Sequence, residues 1–454
     1  MTRTVALFLA LLIIAVPLAG CTGDDTELNA ANDRISELEA QAEVDQDRIA
    51  ELESEAGTDE AAYQKLMDDF ADQSLLINQL QENCCTWDDM YEEWYEGYAA
   101  GVADSSQVST LDIILDRGYM SCGVKTTQYG MGYQDSSTGA YTGLDIEYCR
   151  AIAAAIGLNP DEDIYYVLAT GSSRFDLLAY GDIDVLIRTT TWTTSRDADL
   201  NADFAGINFY DGQGIMIRSD FITAEEAGGS IYALDGANIC VGTGTTSEGN
   251  ILDWSSASGV SINPVNVADS WEANEKFIDG SCDAYTGDTS ALVAKKWQMD
   301  NDGSMGTDND GNTIEIWIGQ ELLSKEPLAA VTRDYDSEWN EIVSWVWYAM
   351  VTSEEMGISS TNYGSADPSD PSVDKLLYSN HGLGTEENPL SSTWMQNVLD
   401  WVGNYGEAYD RSFCDGTYDG VSGSDAMTGC LISRSGTYNA LVSEGGLQYA
   451  PSLR

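Results

Sequence analysis

Few side chains in this sequence are equipped for chemistry, and their types narrow what that chemistry is. Arg196 carries a planar guanidinium that can meet a carboxylate with two parallel N–H donors, a geometry lysine cannot copy. Asp197 and Asp199 beside it offer the plainer use of the same group, a surface ion pair. Thr189 and Thr191 lie just upstream, after Arg188 at the end of a strand-like run. Gly244-Thr245-Thr246 precedes a helical stretch, where free N–H groups and the helix dipole favour an anion. His381, the single histidine, sits in a loop-like Ser-Asn-His-Gly-Leu-Gly segment. The nine cysteines include no short Cys-x-x-Cys spacing. A zinc site and a Ser–His–Asp triad are both disfavoured, and neither metal nor cofactor is expected.

These residues hang on alternating short elements. A helix over 111–118 ending at Gly118 leads into a strand over 120–125. The spacing of Leu144, Ile152 and Ile156 predicts a helix over 144–156, stopped at Gly157. Strand 164–168, helix 173–179 and buried strand 183–187 follow. A second round begins near Ile231, with strand 238–242, a helix after Thr246 and a strand over 283–286. Strand 328–332 and a Trp-rich helix over 337–351 come next, and the final hundred residues look less regular. The β-α-β-α order argues for α/β lobes with mostly parallel, doubly wound sheets, joined by two crossings.

The chain carries 76 acidic side chains against 20 basic ones, so 20 − 76 gives −56. Nucleic acid is excluded as a partner, because phosphate contacts need clustered lysine and arginine. The charge reads as a salt-adapted surface and names no partner of its own. Setting Cys21 aside leaves eight cysteines, an even set that fits an oxidising compartment. Domain organisation favours the pairs Cys122–Cys149, Cys240–Cys282 and Cys414–Cys430, while sequence alone leaves the connectivity open. An acidic insert over 299–312 contains Asp-Asn-Asp-Gly twice but lacks the first aspartate of a calcium loop, and reads as a solvated loop.

The N-terminus combines Arg3, an apolar run over 5–19 and a small-residue end, the pattern of a secretory signal peptide over 1–20. Leu18-Ala19-Gly20-Cys21 also resembles a lipobox, whose cysteine would take lipid and anchor 21–27 to the membrane. The expected location is the extracellular face of the cell membrane or the periplasm. Apolar residues then recur every seven from Leu28 through Ile35, Ala42, Ile49, Ala56, Tyr63 and Phe70 to Ile77. Residues 28–100 therefore read as an α-helical coiled-coil stalk. Copies of the chain could associate through this seam, with Cys84 and Cys85 able to bridge them; a monomeric stalk weakened at Gly57 is the alternative.

From residue 110 onward the chain resembles the polar amino-acid binding proteins of ABC importers. The resemblance rests on Thr110-Leu111-Asp112, Cys122-Gly123-Val124, Thr142-Gly143-Leu144-Asp145, Arg174-Phe175-Asp176 and Gly181-Asp182-Ile183-Asp184-Val185-Leu186. The stretches DVLIRTTTWTTSRD over 184–197 and FYDGQGIMIR over 209–218 are similar to the general L-amino-acid binding subfamily. CDAYTGD over 282–288, LLSKEPLAAVTR over 322–333, GNYGEAYDR over 403–411 and GGLQYAP over 445–451 continue it. The resemblance implies a type II periplasmic-binding-protein fold, with 110–214 and 331–454 in lobe 1 and 215–330 in lobe 2. The lobes would close on ligand about crossings near 212–218 and 325–333.

The implied site takes one contact set from each lobe. In lobe 1, Arg196 would hold the ligand carboxylate, with Thr189 and Thr191 offering backbone and hydroxyl groups and Arg188 as a pocket neighbour. In lobe 2, Thr245 and Thr246 would present helix N–H groups, and Asp288 would take the ammonium. Tyr129 and Tyr133 are expected to cover the aliphatic part of the ligand or else to pack locally. Arg174 is expected to be structural, and Trp192 to pack beneath its loop. Relatives that take cationic amino acids often carry an acid in the first loop, where this chain has Lys125-Thr126-Thr127-Gln128. Broad or neutral side chains fit that better, or an acidic one paired with Lys125. The expected partners are an L-amino acid and ABC permease subunits. A sensory or scaffold lipoprotein and a dehydratase-like enzyme on the same fold are the other readings.

Overall fold

The computed structural model describes residues 108–308, 310–414 and 429–454. The expected signal peptide, the lipid site Cys21, the stalk over 28–100 and the Cys84–Cys85 pair lie outside the described residues.

Helix α1 (Thr110–Arg117) opens this part of the chain, with Ser109 capping its first turn and Gly118 ending it at φ 81°. Then come β1 (Met120–Val124), the small sheet β2 (Thr127–Gln128), β3 (Gly132–Gln134) and β4 (Tyr141–Thr142), and α2 (Leu144–Ala155). Strand β5 (Ile164–Leu168), α3 (Arg174–Ala179), β6 (Val185–Leu186) and α4 (Thr194–Asp199) complete the first βα series. Strand β7 (Ala202–Arg218) carries the chain into a second series: β8 (Asn238–Gly242), α5 (Thr246–Ser258), β9 (Asn263–Val267), α6 (Ser270–Ile278), β10 (Ala284–Asp288), α7 (Thr289–Asp302) and β11 (Ile316–Ile318). Strand β12 (Ser324–Arg333) returns to the first, followed by α8 (Ser337–Glu355), α9 (Pro371–Tyr378), α10 (Trp394–Trp401) and α11 (Tyr405–Phe413).

The two series share one sheet, ordered β5-β1-β6-β12-β7-β10-β8-β9, with β11 beside β7. Pairing is parallel within β5-β1-β6 and within β10-β8-β9, as βα crossovers require. The crossings are antiparallel. Residues 202–209 of β7 pair with 328–333 of β12, whereas 213–218 of β7 pair with β10 and β11. Each crossing is thus a full strand of the sheet, and one strand supports both lobes.

The C-terminal region is more regular than its sequence suggests. Helices α8 to α11 pack Trp339, Trp347, Trp394, Tyr405, Tyr409 and Phe413 against α2 and β1 of lobe 1. Asp336 caps α8 and also accepts from Ser109 Oγ and Thr110 N, fastening the start of α1 to this layer. Asn404 and Glu407 form a reciprocal capping box at α11. Disulfides join Cys122 to Cys149 between β1 and α2, Cys240 to Cys282 in lobe 2, and Cys414 to Cys430 after α11.

Candidate functional site

A cavity of about 160 Å³ lies between the lobes. It is comparable to the ~150 Å³ engineered cavities that take up benzene. Lobe 1 lines it with Lys125, Thr170, Arg174, Arg188, Thr189, Thr191 and Arg196. Lobe 2 adds the loop 242–247, the segment 268–271 at the start of α6, and Tyr285 to Asp288 at the end of β10. In each lobe these residues follow the C-terminal ends of parallel strands, where open α/β sheets bind ligands.

Local geometry aims them inward. Asp145 at the start of α2 is fully buried and accepts from Thr189 N at 3.0 Å and Asn208 Nδ2 at 3.3 Å. That bond holds Thr189 at φ 47°, a left-handed conformation costly for a β-branched residue. Thr193 caps α4 by accepting from Arg196 N, and Arg196 Nη1 donates to Thr191 O at 2.9 Å. In lobe 2, Thr245 occupies the N-cap of α5 and turns its hydroxyl to Gly242 O at 2.7 Å. Asp288 stands at the N-cap of α7 without capping it.

The crossing strands contribute three acceptor-bearing side chains beneath the cavity. Gln213 Nε2 donates to Thr286 Oγ1 at 2.9 Å and Ser247 O at 3.1 Å. The Asp211 carboxylate accepts from Gly212 N and Ser290 N. Glu326 accepts the hydroxyls of Thr191 and Thr246. Across the mouth the lobes touch directly, Thr127 Oγ1 lying 2.8 Å from Ser270 Oγ and Gln128 Nε2 donating to Ser290 Oγ at 2.9 Å. The described arrangement is therefore a closed one.

The electrostatics of the lining run against the rest of the molecule. Arg174, Arg188 and Arg196 are all pulled below the ordinary arginine range, first by burial. For Arg174 the other two guanidiniums add to that effect, and Asp288 opposes it. Lys125 falls to about 8, through burial and then through Arg188. The Asp288 carboxyl is pushed up by burial, with Lys125 opposing. Among the described residues, Arg174 Nε and Arg188 Nε are buried without a hydrogen-bond partner. Among the described residues none donates a hydrogen bond to the Asp288 carboxylate, which lines the cavity.

A sequence model of bacterial extracellular solute-binding proteins, family 3, matches residues 120–365. The chain belongs to this family. A glutamate/glutamine/aspartate/asparagine-binding protein of Rhodobacter capsulatus is 37% identical over 358 residues, 78% of this chain and 96% of its own. A general L-amino acid-binding periplasmic protein of Rhizobium johnstonii is 35% identical over 355 residues, 78% of this chain and 95% of its own. A solved periplasmic binding protein of an ABC transporter from Brucella ovis, with glutathione bound, is 34% identical. It superposes with a TM-score of 0.65 over 76% of this chain and 99% of that one. The fold is the type II periplasmic-binding-protein fold, and the relatives are solute-binding proteins, not enzymes. Among the described residues no helix is long and apolar enough to cross a membrane.

In this solute-binding protein the cavity brings together Arg188, Thr189, Thr191, Arg196, Thr245, Thr246 and Asp288, all singled out in the sequence. Tyr129 and Tyr133 are not among its lining. They stack on each other at 3.9 Å, and Tyr129 meets the edge of Trp297 at 5.1 Å, so they close the lobes at the mouth. Trp192 stacks on Phe204 beside its loop. Arg174, expected to be structural, lines the cavity and is 2% exposed. Its position opening a short helix gave no signal, because such arginines usually face solvent. Trp271 and Glu326 also carried none.

Proposed function

We propose that this protein is an extracytoplasmic receptor for L-amino acids, preferring those with a second carboxylate, and that it delivers them to an ABC import permease. The observation that carries the preference is the charge of the cavity. Four of the chain's 20 basic residues line it (Lys125, Arg174, Arg188, Arg196), against two of its 76 acids (Asp269, Asp288). A zwitterion needs one cation and one anion. The surplus cations, offset only in part by Asp145 and Glu326 behind the lining, favour a further anionic group, since buried charges need partners.

Arg196 takes the α-carboxylate as a charge-assisted fork, joined by N–H groups at the start of α5. Asp288 takes the ammonium. The hydroxyls of Thr191 and Thr246 donate to Glu326, so toward ligand they can only accept, which also suits an ammonium. Lys125, Arg174 and Arg188 face the side chain. The name of the Rhodobacter capsulatus relative, which includes glutamate and aspartate, supports this class. Closure is favoured because only the closed state makes both sets of contacts. Lipid on Cys21 would tether the receptor beside its permease.

Calorimetry against glutamate, aspartate, glutamine, leucine, arginine and glutathione tests the reading. Glutamate and aspartate should bind tightest, and Arg196→Ala should cost roughly 2–5 kcal/mol for every ligand. Arg174→Gln should weaken glutamate while sparing glutamine. Silence with all six compounds would refute amino-acid binding; arginine binding as tightly as glutamate would refute the preference.

A further inference from the structure

Glu326 lies on β12 where the strand crosses between the lobes, opposite Asp211 of β7, and is 1% exposed. It forms no ion pair among the described residues. Its charge is met instead by four donors. Oε2 accepts from Thr191 Oγ1 at 2.6 Å and from Thr246 Oγ1 at 2.9 Å. Oε1 accepts from Asn250 Nδ2 at 3.1 Å and from Ser324 Oγ. A carboxylate has about four acceptor positions, so this one is saturated.

The donors do not come from one body. Thr191 belongs to the Arg196 loop of lobe 1, whereas Thr246 and Asn250 belong to α5 of lobe 2. Both threonines line the cavity. A single oxygen therefore bridges the two ligand-bearing walls from behind, at the hinge. If the lobes swing apart, one wall withdraws its donor and a buried carboxylate is left short of partners, which is costly. Asn250 Nδ2 also lies 2.9 Å from Gln213 Oε1 and 3.0 Å from Ser324 Oγ, sharing its two protons among three acceptors, so the same network reaches both crossing strands.

We propose that Glu326 is a positioning residue that couples lobe closure to the ligand loops, holding Thr191 and Thr246 in register only when the cleft is shut. It acts through those threonines and touches no ligand. The inference goes beyond the identity of the ligand, although its kinetic arm rests on the amino-acid reading.

Two measurements test it on the full chain. The first is hydrogen–deuterium exchange of the ligand-free protein. Glu326→Gln should raise uptake together at 188–196 and at 243–250, on both lobes, with Thr191→Val raising it mainly at 188–196. A residue that merely supported its own strand would raise uptake at 324–333 alone, and that pattern overturns the proposal. The second is stopped-flow dissociation of glutamate and glutamine. Glu326→Gln should speed release of both by roughly tenfold or more. In a Thr191→Val, Thr246→Val background the same substitution should add little, because its partners are gone. Unchanged dissociation, or tighter glutamate binding from simple loss of a negative charge near Arg196, also overturns it. If the parent binds no amino acid, the exchange experiment still decides the role of Glu326, and only the ligand reading falls.

Discussion

Asp211 carries a penalty that its neighbours only partly relieve. Desolvation, and after it the charge of Asp288, push its carboxyl up to about 7, while the N–H groups of Gly212 and Ser290 pull the other way. An acid whose folded pKa lies above its unfolded value costs nothing at low pH, where both states are protonated. The cost grows as pH rises from the unfolded value of about 3.9 and is complete above about 7. Asparagine keeps the acceptor oxygen and never ionises. Ligand-free Asp211→Asn should melt with the parent near pH 4, above it by a growing margin up to pH 7, and by a constant margin beyond. Each kcal/mol should appear as roughly 2–4 °C. Parallel melting curves across that range would mean that Asp211 is not held neutral. This residue was not legible in a chain of 76 acids. Asp288 was, because the Tyr-Thr-Gly-Asp motif marks it, whereas Arg174, Asp211 and Glu326 have no local pattern that separates a cavity neighbour from a surface charge.

At the scale of elements, the turn into α2 sets the register of the cleft. Gly143 has φ 118°, and a Cβ there would stand 2.1 Å from Met131 O. Leu144 N and Asp145 N donate to Gly130 O and Met131 O, so the first loop and the helix start are one unit. Asp145 in turn fixes Thr189. Gly143→Ala should lower stability by roughly 1–3 kcal/mol through backbone strain and clash, and should weaken ligand binding with it. Gly157→Ala, at φ 86° with open space around it, should cost less and leave binding alone. Equal losses in melting temperature and affinity for the two would show that the contact with Met131 is immaterial. Helix α2 and strand β5 after this turn were readable because apolar spacing switches between helix and strand, as at 144–156 and 164–168, whereas the short strands β2 to β4 before it were not. The antiparallel crossings were not readable as strands of a shared sheet, since β7 and β12 pair across more than a hundred residues of chain. Nor were α9 to α11, beyond the Trp-rich α8, whose buried Trp394, Tyr405 and Tyr409 sit among glycine, serine and proline that mimic loop.

For the whole molecule the relevant quantity is −56, distributed along the chain while its cavity gathers cations. Self-repulsion on that scale destabilises the compact state and is relieved by screening. The Debye length falls from about 10 Å at 0.1 M salt to about 3 Å at 1 M, so most of the relief should arrive within that interval. The melting temperature should therefore climb steeply between 0.1 and 1 M KCl and flatten above. Sucrose, which stabilises by exclusion without screening, should give a shallower and more linear rise. A melting temperature indifferent to KCl below 1 M, with gains only at higher concentration, would point to exclusion of salt from the surface and would sink the screening account. The cavity should behave differently from the surface. Its arginines, Lys125 and Asp288 are desolvated, so their contacts with ligand are poorly screened, and dissociation of glutamate should change far less than stability over the same range. A surface that needs salt and a site that does not would let the receptor work wherever its charge keeps it folded.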